Sequence, residues 1–320
     1  MSMLGISLGD PGGIGPEVSL RALDACGSDI TPILFGSGSI LAHPYHDALV
    51  GDWSIEKGWP QGAAKEKTAY LIDTGAVEIT EGHDTAEQGA SSFAAVEAAC
   101  DAAKSGKIQS WVTAPISKRA WALAGISHNG HTEYLQAMSP ETSVAMGFYA
   151  PQFSVLLHTV HIPFTEVPAH LTESKLKKTL ALCLDFAKKL GINQPRIALA
   201  GLNPHAGESG QMGREEVEIL QPFVQTHQSK EYSLSGPYPP DTVFMSANNG
   251  DYDLVIALYH DQGLIPVKLL AFDQAVNISI GLPYFRCSPD HGTAYPIAYQ
   301  NKAKPSAMRA AIQAAIRYGA

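Results

Sequence analysis

Short apolar runs bounded by turn residues recur along the chain, and between several of them the apolar spacing changes to three or four. The runs at 4–8, 32–35, 110–113, 154–159, 196–200 and 254–259 read as strands. DLVIALY, 253–259, is apolar almost throughout, which predicts burial on both faces and so a largely parallel sheet. The clearest helix covers 173–190, where Leu176, Leu180, Cys183, Leu184, Ala187 and Leu190 share one face. Thr172 is placed to cap it and Gly191 to end it. A second runs from about 88 to 104, before Gly106. Strand alternating with helix is the α/β class, and no repeat, low-complexity tract or linker interrupts it. Open α/β sheets bind ligands beyond the carboxyl ends of their strands, so polar residues just after the apolar runs become the candidates.

The chain has 320 residues, enough for two lobes with separate cores. A net charge of −9 with no basic cluster opposes binding to nucleic acid or anionic membranes. The first residues carry no basic segment followed by an apolar stretch, and no run of about 18 apolar residues occurs, so neither secretion nor a membrane span is expected. Cys26, Cys100, Cys183 and Cys287 lie far apart without a C-x-x-C pair, which suits free core thiols in a reducing cytoplasm.

Against this background ISLGDPGGIGPEVSLRAL, residues 6–23, stands out as a glycine-rich turn between strand and helix. Gly13 and Gly15 begin a G-x-G-x-x-G, but Val18 occupies the last position and no Gly-Lys-Ser/Thr follows, so neither standard phosphate loop fits. Three histidines follow apolar runs or precede a cap: His205 in GLNPHAGESG, His260 after DLVIALY, and His170 in PAHLTESK. Their spacing carries no metal signature by itself, although three neutral imidazoles suit a borderline divalent cation. Lys268 lies eight residues beyond His260, while Asn277 and Arg286 flank a Gly-Leu-Pro turn; taken singly, such residues are more often structural. Ser117 and Lys118 open one candidate helix, and His131 and Thr132 another, where backbone N–H groups suit a phosphate or merely start the helix. His158 and His161 fall in an apolar, strand-like segment and read as structural; His291 stays open.

GDPGGIGPE, VTAPISK, NGHTEYL, GLNPHAGE, ALYHDQGLIPVK, VNISIGLP and R-x-S-x-DHGTA, in this order, resemble the 4-hydroxythreonine-4-phosphate dehydrogenase family of vitamin B6 biosynthesis, from about residue 4 to the end. The opening turn is also similar to the GDGIGPE of isopropylmalate and isocitrate dehydrogenases. The resemblance implies two α/β/α lobes sharing a continuous mixed, largely parallel sheet, isopropylmalate dehydrogenase-like, with 1–125 and 286–320 forming one lobe and 126–285 the other. It implies His170, His205 and His260 as ligands of a divalent metal, usually zinc, with magnesium or cobalt as alternatives, at a site shared across a homodimer. His131, Thr132, Lys268, Asn277 and Arg286 match the family's substrate-binding positions, and Gly13, Ile14 and Gly15 border the cleft for NAD or NADP. Lys268, with Asp241 in second place, is the candidate for proton handling. The implied reaction is oxidation of the C3 hydroxyl of 4-phosphohydroxy-L-threonine to a 3-oxo acid that decarboxylates to 3-amino-2-oxopropyl phosphate. Dehydrogenation of threonate or erythronate 4-phosphate is the alternative within the class; a metal-dependent hydrolase or phosphate acyltransferase is the alternative outside it. Two departures are visible: Gly12 replaces the family's usual alanine, and Gln211 stands where a histidine is common.

Overall fold

The computed structural model describes residues 2–319. Its strands, in chain order, are β1 (Ser2–Ser7), β2 (Ile30–Gly36), β3 (Ser54–Lys57), β4 (Thr68–Asp73), β5 (Ser110–Thr113), β6 (Ala145–Tyr149), β7 (Ser154–Leu157), β8 (Arg196–Ala200), β9 (Ser233–Tyr238), β10 (Leu254–Ala257), β11 (Val276–Ile280) and β12 (Phe285–Pro289). The chain forms two compact units, one running up to Thr142 and resuming at Leu282, the other Ser143–Gly281.

In the first unit the strand order is β3-β4-β2-β1-β5-β12, and every pairing is parallel. Parallel strands are covered on both faces, which accounts for Leu4, Ile6, Ile33, Phe35, Leu71 and Val112 all being buried. The helix Ala86–Lys104 starts earlier than the apolar pattern shows, because the Thr85 hydroxyl accepts the Gln88 N–H at 3.2 Å.

The second unit has the order β11-β6-β7-β10-β8-β9; β6 is antiparallel to both neighbours and the remaining pairs are parallel. Its core joins Phe148, Val155, Leu157, Val255, Leu264 and Val267. The helix Glu173–Lys189 lies where the periodicity predicts, capped by Thr172, with Gly191 at φ +73 just past its end. The architecture is therefore α/β and largely parallel.

Two predicted strands end early, and both ends matter for the site. The run 154–159 leaves the strand after Leu157, where the Thr159 hydroxyl turns to the Leu258 carbonyl at 2.6 Å. The run 254–259 stops at Ala257, and a helix begins at His260. No helix among the described residues is long and apolar enough to cross a membrane.

Candidate functional site

In the second unit, three adjacent parallel strands, β7, β10 and β8, each deliver a histidine beyond the carboxyl end: His161, His260 and His205. The His161 and His260 rings lie with centroids 5.7 Å apart and 41° between planes. His260 opens the helix His260–Ala271, and its Nδ1 is 2.7 Å from the Asp261 carboxylate. A ring that donates Nδ1–H to a carboxylate keeps Nε2 as an acceptor, the arrangement that orients metal-binding imidazoles. Gln262 is buried and ties the segment down: its amide accepts from Leu258 N at 2.7 Å and donates to Gly201 O at 2.6 Å. The same side chain thus fixes the end of β10 to the loop that carries His205.

His205 begins a left-handed turn in which residues 205–209 all have positive φ, from 43° to 78°. Only Gly207 adopts this backbone freely; each other residue costs roughly 1–2 kcal/mol. The turn is held by Glu216, fully buried, whose carboxylate accepts from Leu202 N, Asn203 N and Asn203 Nδ2 at 2.7, 2.8 and 2.9 Å. A Cβ on Gly207 would come within 2.6 Å of that carboxylate. Strain held by surrounding structure clusters at functional sites.

His170 ends the short helix Val167–His170, and its Nδ1 lies 3.1 Å from the Lys175 ammonium. His158 bridges the Thr179 hydroxyl and the His170 carbonyl at 2.7 and 3.0 Å, and its burial lowers the ring pKa. Among the described residues no group of three or more His, Cys, Asp or Glu side chains is gathered as a metal site. Lys268 is half-buried on the helix that His260 opens, Asn277 half-buried in β11, and Asp241 exposed after β9.

In the first unit the relevant strands are β5 and β12. Arg286 is buried inside β12, beside Trp111 of β5, and its Nη2 donates to the Thr113 hydroxyl. Burial lowers its pKa to about 10, so the guanidinium remains charged at neutral pH. His131 is the first residue of the helix His131–Met138, edge-on to Trp121 at 5.8 Å, and its buried Nε2 has no hydrogen-bond partner. Burial, then the Arg286 and Lys118 charges, hold its pKa well below the ordinary imidazole value. The ring is thus a neutral imidazole in the field of two cations.

The glycine-rich turn is filled by the chain itself. Cβ atoms on Gly9 and Gly13 would meet Pro115 O at 2.3 Å and Thr293 at 2.9 Å. Asp10 accepts the Gly13 N–H at its carbonyl (3.1 Å) and the Gly12 N–H at its carboxylate (2.8 Å), while Ile14 N donates to Thr293 O at 2.9 Å. Gly13 and Ile14 therefore have their N–H groups committed within the protein, and Gly15 opens the helix Gly15–Arg21.

Comparison with known proteins gives the chain's family. The family described as "Pyridoxal phosphate biosynthetic protein PdxA" matches residues 28–315. The chain belongs to this family. A 4-hydroxythreonine-4-phosphate dehydrogenase of Synechococcus sp. is 42% identical, covering 100% of both chains. A D-threonate 4-phosphate dehydrogenase of Salmonella typhimurium is 37% identical, covering 98% of this chain and 97% of that one. The crystal structure of a 4-hydroxythreonine-4-phosphate dehydrogenase from Klebsiella pneumoniae superposes with a TM-score of 0.88 at 36% identity, over 99% and 98% of the two chains. This PdxA-family protein is thus a dehydrogenase.

His161, which the sequence places in a structural segment, ends beside the His260 ring. Its HTVHIP context is strand-like, yet the strand ends at Leu157 and the ring comes to rest against His260. Glu216 was equally hidden, since nothing in EEVEIL distinguishes the buried carboxylate from its exposed neighbours.

Proposed function

We propose that this dehydrogenase oxidises the C3 hydroxyl of 4-phosphohydroxy-L-threonine with NAD or NADP. The resulting 3-oxo acid loses carbon dioxide to give 3-amino-2-oxopropyl phosphate, in pyridoxal phosphate biosynthesis. The observation that carries the reading is the neutral His131 beside buried Arg286 and Lys118, a setting suited to a phosphorylated acid. The 37% identical D-threonate enzyme supports a second reading, since a four-carbon acid phosphate presents the same anionic groups.

Imidazoles suit a divalent metal by their chemistry, although the described residues do not gather three such ligands: His260 is oriented by Asp261, His161 lies ring against ring with it, and His205 follows the adjacent strand. In this reading His205 and His260 hold the cation with His161 or His170, and such a cation would polarise the substrate hydroxyl and lower its pKa. NAD or NADP would supply the hydride acceptor. The remaining work is the chain's. Arg286, His131 and Thr132 grip the anionic substrate, and Asn277 offers it a donor and an acceptor. Lys268 takes the hydroxyl proton and returns it to carbon once carbon dioxide has left, with Asp241 the weaker candidate for that role.

A homodimer completes the reading. On the helix His260–Ala271 and the residue after it, Ile265, Leu269 and Phe272 are 59%, 80% and 66% exposed at i, i+4, i+7 spacing, an apolar stripe suited to a second copy. The four buried free thiols fit a reducing cytoplasm.

The test is reduced-nicotinamide absorbance with 4-phosphohydroxy-L-threonine, threonate 4-phosphate or erythronate 4-phosphate, with and without a chelator. Chelator-sensitive turnover, fastest on the first substrate, is expected; no reduction of NAD or NADP by any of them overturns the proposal.

A further inference from the structure

Backbone pairing of β8 with β10 extends as far as Leu199 and Ile256, and beyond that point each strand runs into a segment that carries a histidine. Gln262, 7% exposed, joins the two segments. Its Oε1 accepts the Leu258 N–H at 2.7 Å, just past β10, and its Nε2 donates to the Gly201 carbonyl at 2.6 Å, just past β8. The helix His260–Ala271 has no side-chain cap from Tyr259, so the glutamine at its third position supplies the return contact to the chain that enters it. Beside it, Gly263 lets the helix close on β7, since a Cβ there would come within 2.7 Å of Leu157 and 2.8 Å of Val155. At the other end of the link, Gly201 is held by Tyr238, whose carbonyl accepts its N–H at 2.8 Å. A Cβ on Gly201 would stand 3.1 Å from the Ala206 Cα and 3.2 Å from Glu216 Oε1, so this backbone bears directly on the turn that begins at His205. One buried amide thus connects the helix start that carries His260 to the support of the His205 turn.

We propose that Gln262 is a positioning residue for this dehydrogenase: its amide clamps the start of the His260 helix to the Gly201 backbone and so fixes where the His205 and His260 imidazoles stand. That role rests on the reading of these two histidines as metal ligands. A ligating imidazole tolerates about 0.2 Å of error in its distance to the metal, whereas ordinary thermal motion in a protein is about 0.5 Å along each axis. Apolar packing is non-directional and cannot set such a spacing alone, while hydrogen bonds from both ends of one planar amide fix distance and angle together. Without the amide, a buried N–H and a buried carbonyl lose their partners, and the two segments shift to find others.

The experiment compares wild type, Gln262→Met and Gly201→Ala as zinc-loaded holoenzyme, each shown folded by circular dichroism at the assay temperature. Methionine keeps the length of the side chain and removes both hydrogen bonds; alanine leaves Gln262 intact and presses on Ala206 from the backbone side. Zinc affinity, measured by competition with a chromophoric chelator, should fall roughly ten- to a hundredfold in Gln262→Met, and by less in Gly201→Ala. The visible absorption of cobalt(II)-substituted protein should change shape, and kcat should fall even with zinc in excess while KM for the nicotinamide cofactor stays unmoved. A glutamine that only stabilised the fold would change none of these in folded protein. Zinc affinity within about twofold of wild type, with an unaltered cobalt spectrum, in folded Gln262→Met overturns the inference. If that variant does not fold, the same result in Gly201→Ala does so. If wild type binds no zinc yet oxidises the phosphorylated acid, the metal reading has failed and kcat decides. A loss of roughly tenfold or more in Gln262→Met at constant cofactor KM then keeps the positioning role, and an unchanged kcat ends it.

Discussion

Replacing Asp10 by asparagine should make the protein more stable at neutral pH while flattening its stability in acid. Asp10 is fully buried, one carboxylate oxygen accepts the Gly12 N–H at 2.8 Å, and the other has no hydrogen-bond partner. Burial pushes its pKa up from 3.8 to about 6, against the Gly12 N–H and the nearby Tyr295 hydroxyl, with a smaller upward push from the Asp84 charge. An acid whose pKa is raised on folding binds its proton more tightly in the native state. Its contribution to stability is thus greatest below pH 4, falls as pH rises from 4 to 6, and stays low above. A shift of about two units corresponds to about 3 kcal/mol of differential stability, an order-of-magnitude figure. Asparagine keeps an acceptor for Gly12 and carries no charge. At pH 8 the variant should gain up to about 3 kcal/mol, a melting-point rise of up to roughly 5 °C for a chain of 320 residues. At pH 4, where wild-type Asp10 is largely protonated, the two proteins should converge. Thermal unfolding from pH 4 to 8 checks this. A difference that does not change with pH, or a variant less stable at pH 8, refutes the burial argument.

Arg286→Lys should raise KM for the phosphorylated substrate about 10- to 150-fold, the loss of one charge-assisted hydrogen bond, because an ammonium cannot reproduce the fork that also reaches Thr113. A lower melting temperature with unaltered substrate kinetics would make Arg286 structural instead. His260→Ala and His161→Ala should each lose bound metal by elemental analysis with the fold retained; a full metal equivalent in both removes the imidazole pair from the ligand set, and His170→Ala in parallel decides between His161 and His170. Glu216→Ala should cost about 3 kcal/mol or more in denaturant unfolding, since it strands three N–H donors around the His205 turn, and metal affinity should fall with it; unchanged stability would mean water replaces the carboxylate. Leu269→Glu should yield monomers by light scattering with little turnover, and a fully active monomer contradicts the shared site.

What the chain shows in its sequence is local, and what it conceals is the pairing of distant segments. Thr172 and Gly191 mark a helix with residues a turn away from its ends, so both signals survive in one dimension. Arg286 does not. The sequence presents it beside a turn, as a residue on the surface would be, and only the parallel pairing of β12 with β5 puts it in the interior against Thr113. His161 meets His260 because β7 pairs with β10, with about a hundred residues between them, and no spacing rule encodes that. The left-handed turn at His205 is hidden for a different reason. Gly207 and Gly210 hint at it, but His205, Ala206, Glu208 and Ser209 have no preference for that backbone, which persists through a carboxylate arriving from position 216.

The glycine-rich turn shows how a motif can be legible while its physics is not. G-x-G patterns invite a phosphate reading because glycine lets a ligand approach the backbone closely. Here the approaching groups belong to the protein. A Cβ on Gly12 would lie 2.7 Å from both the Thr80 carbonyl and the Gln88 amide, and Gln88 is itself held by Thr80 N and the His83 carbonyl at 2.8 and 2.7 Å. The glycines therefore serve contacts between segments far apart in sequence, and the turn is a junction before it is a binding loop. That also gives meaning to Gly12 where alanine is usual in the family. The missing methyl is space taken up by Gln88, a difference in packing within the turn.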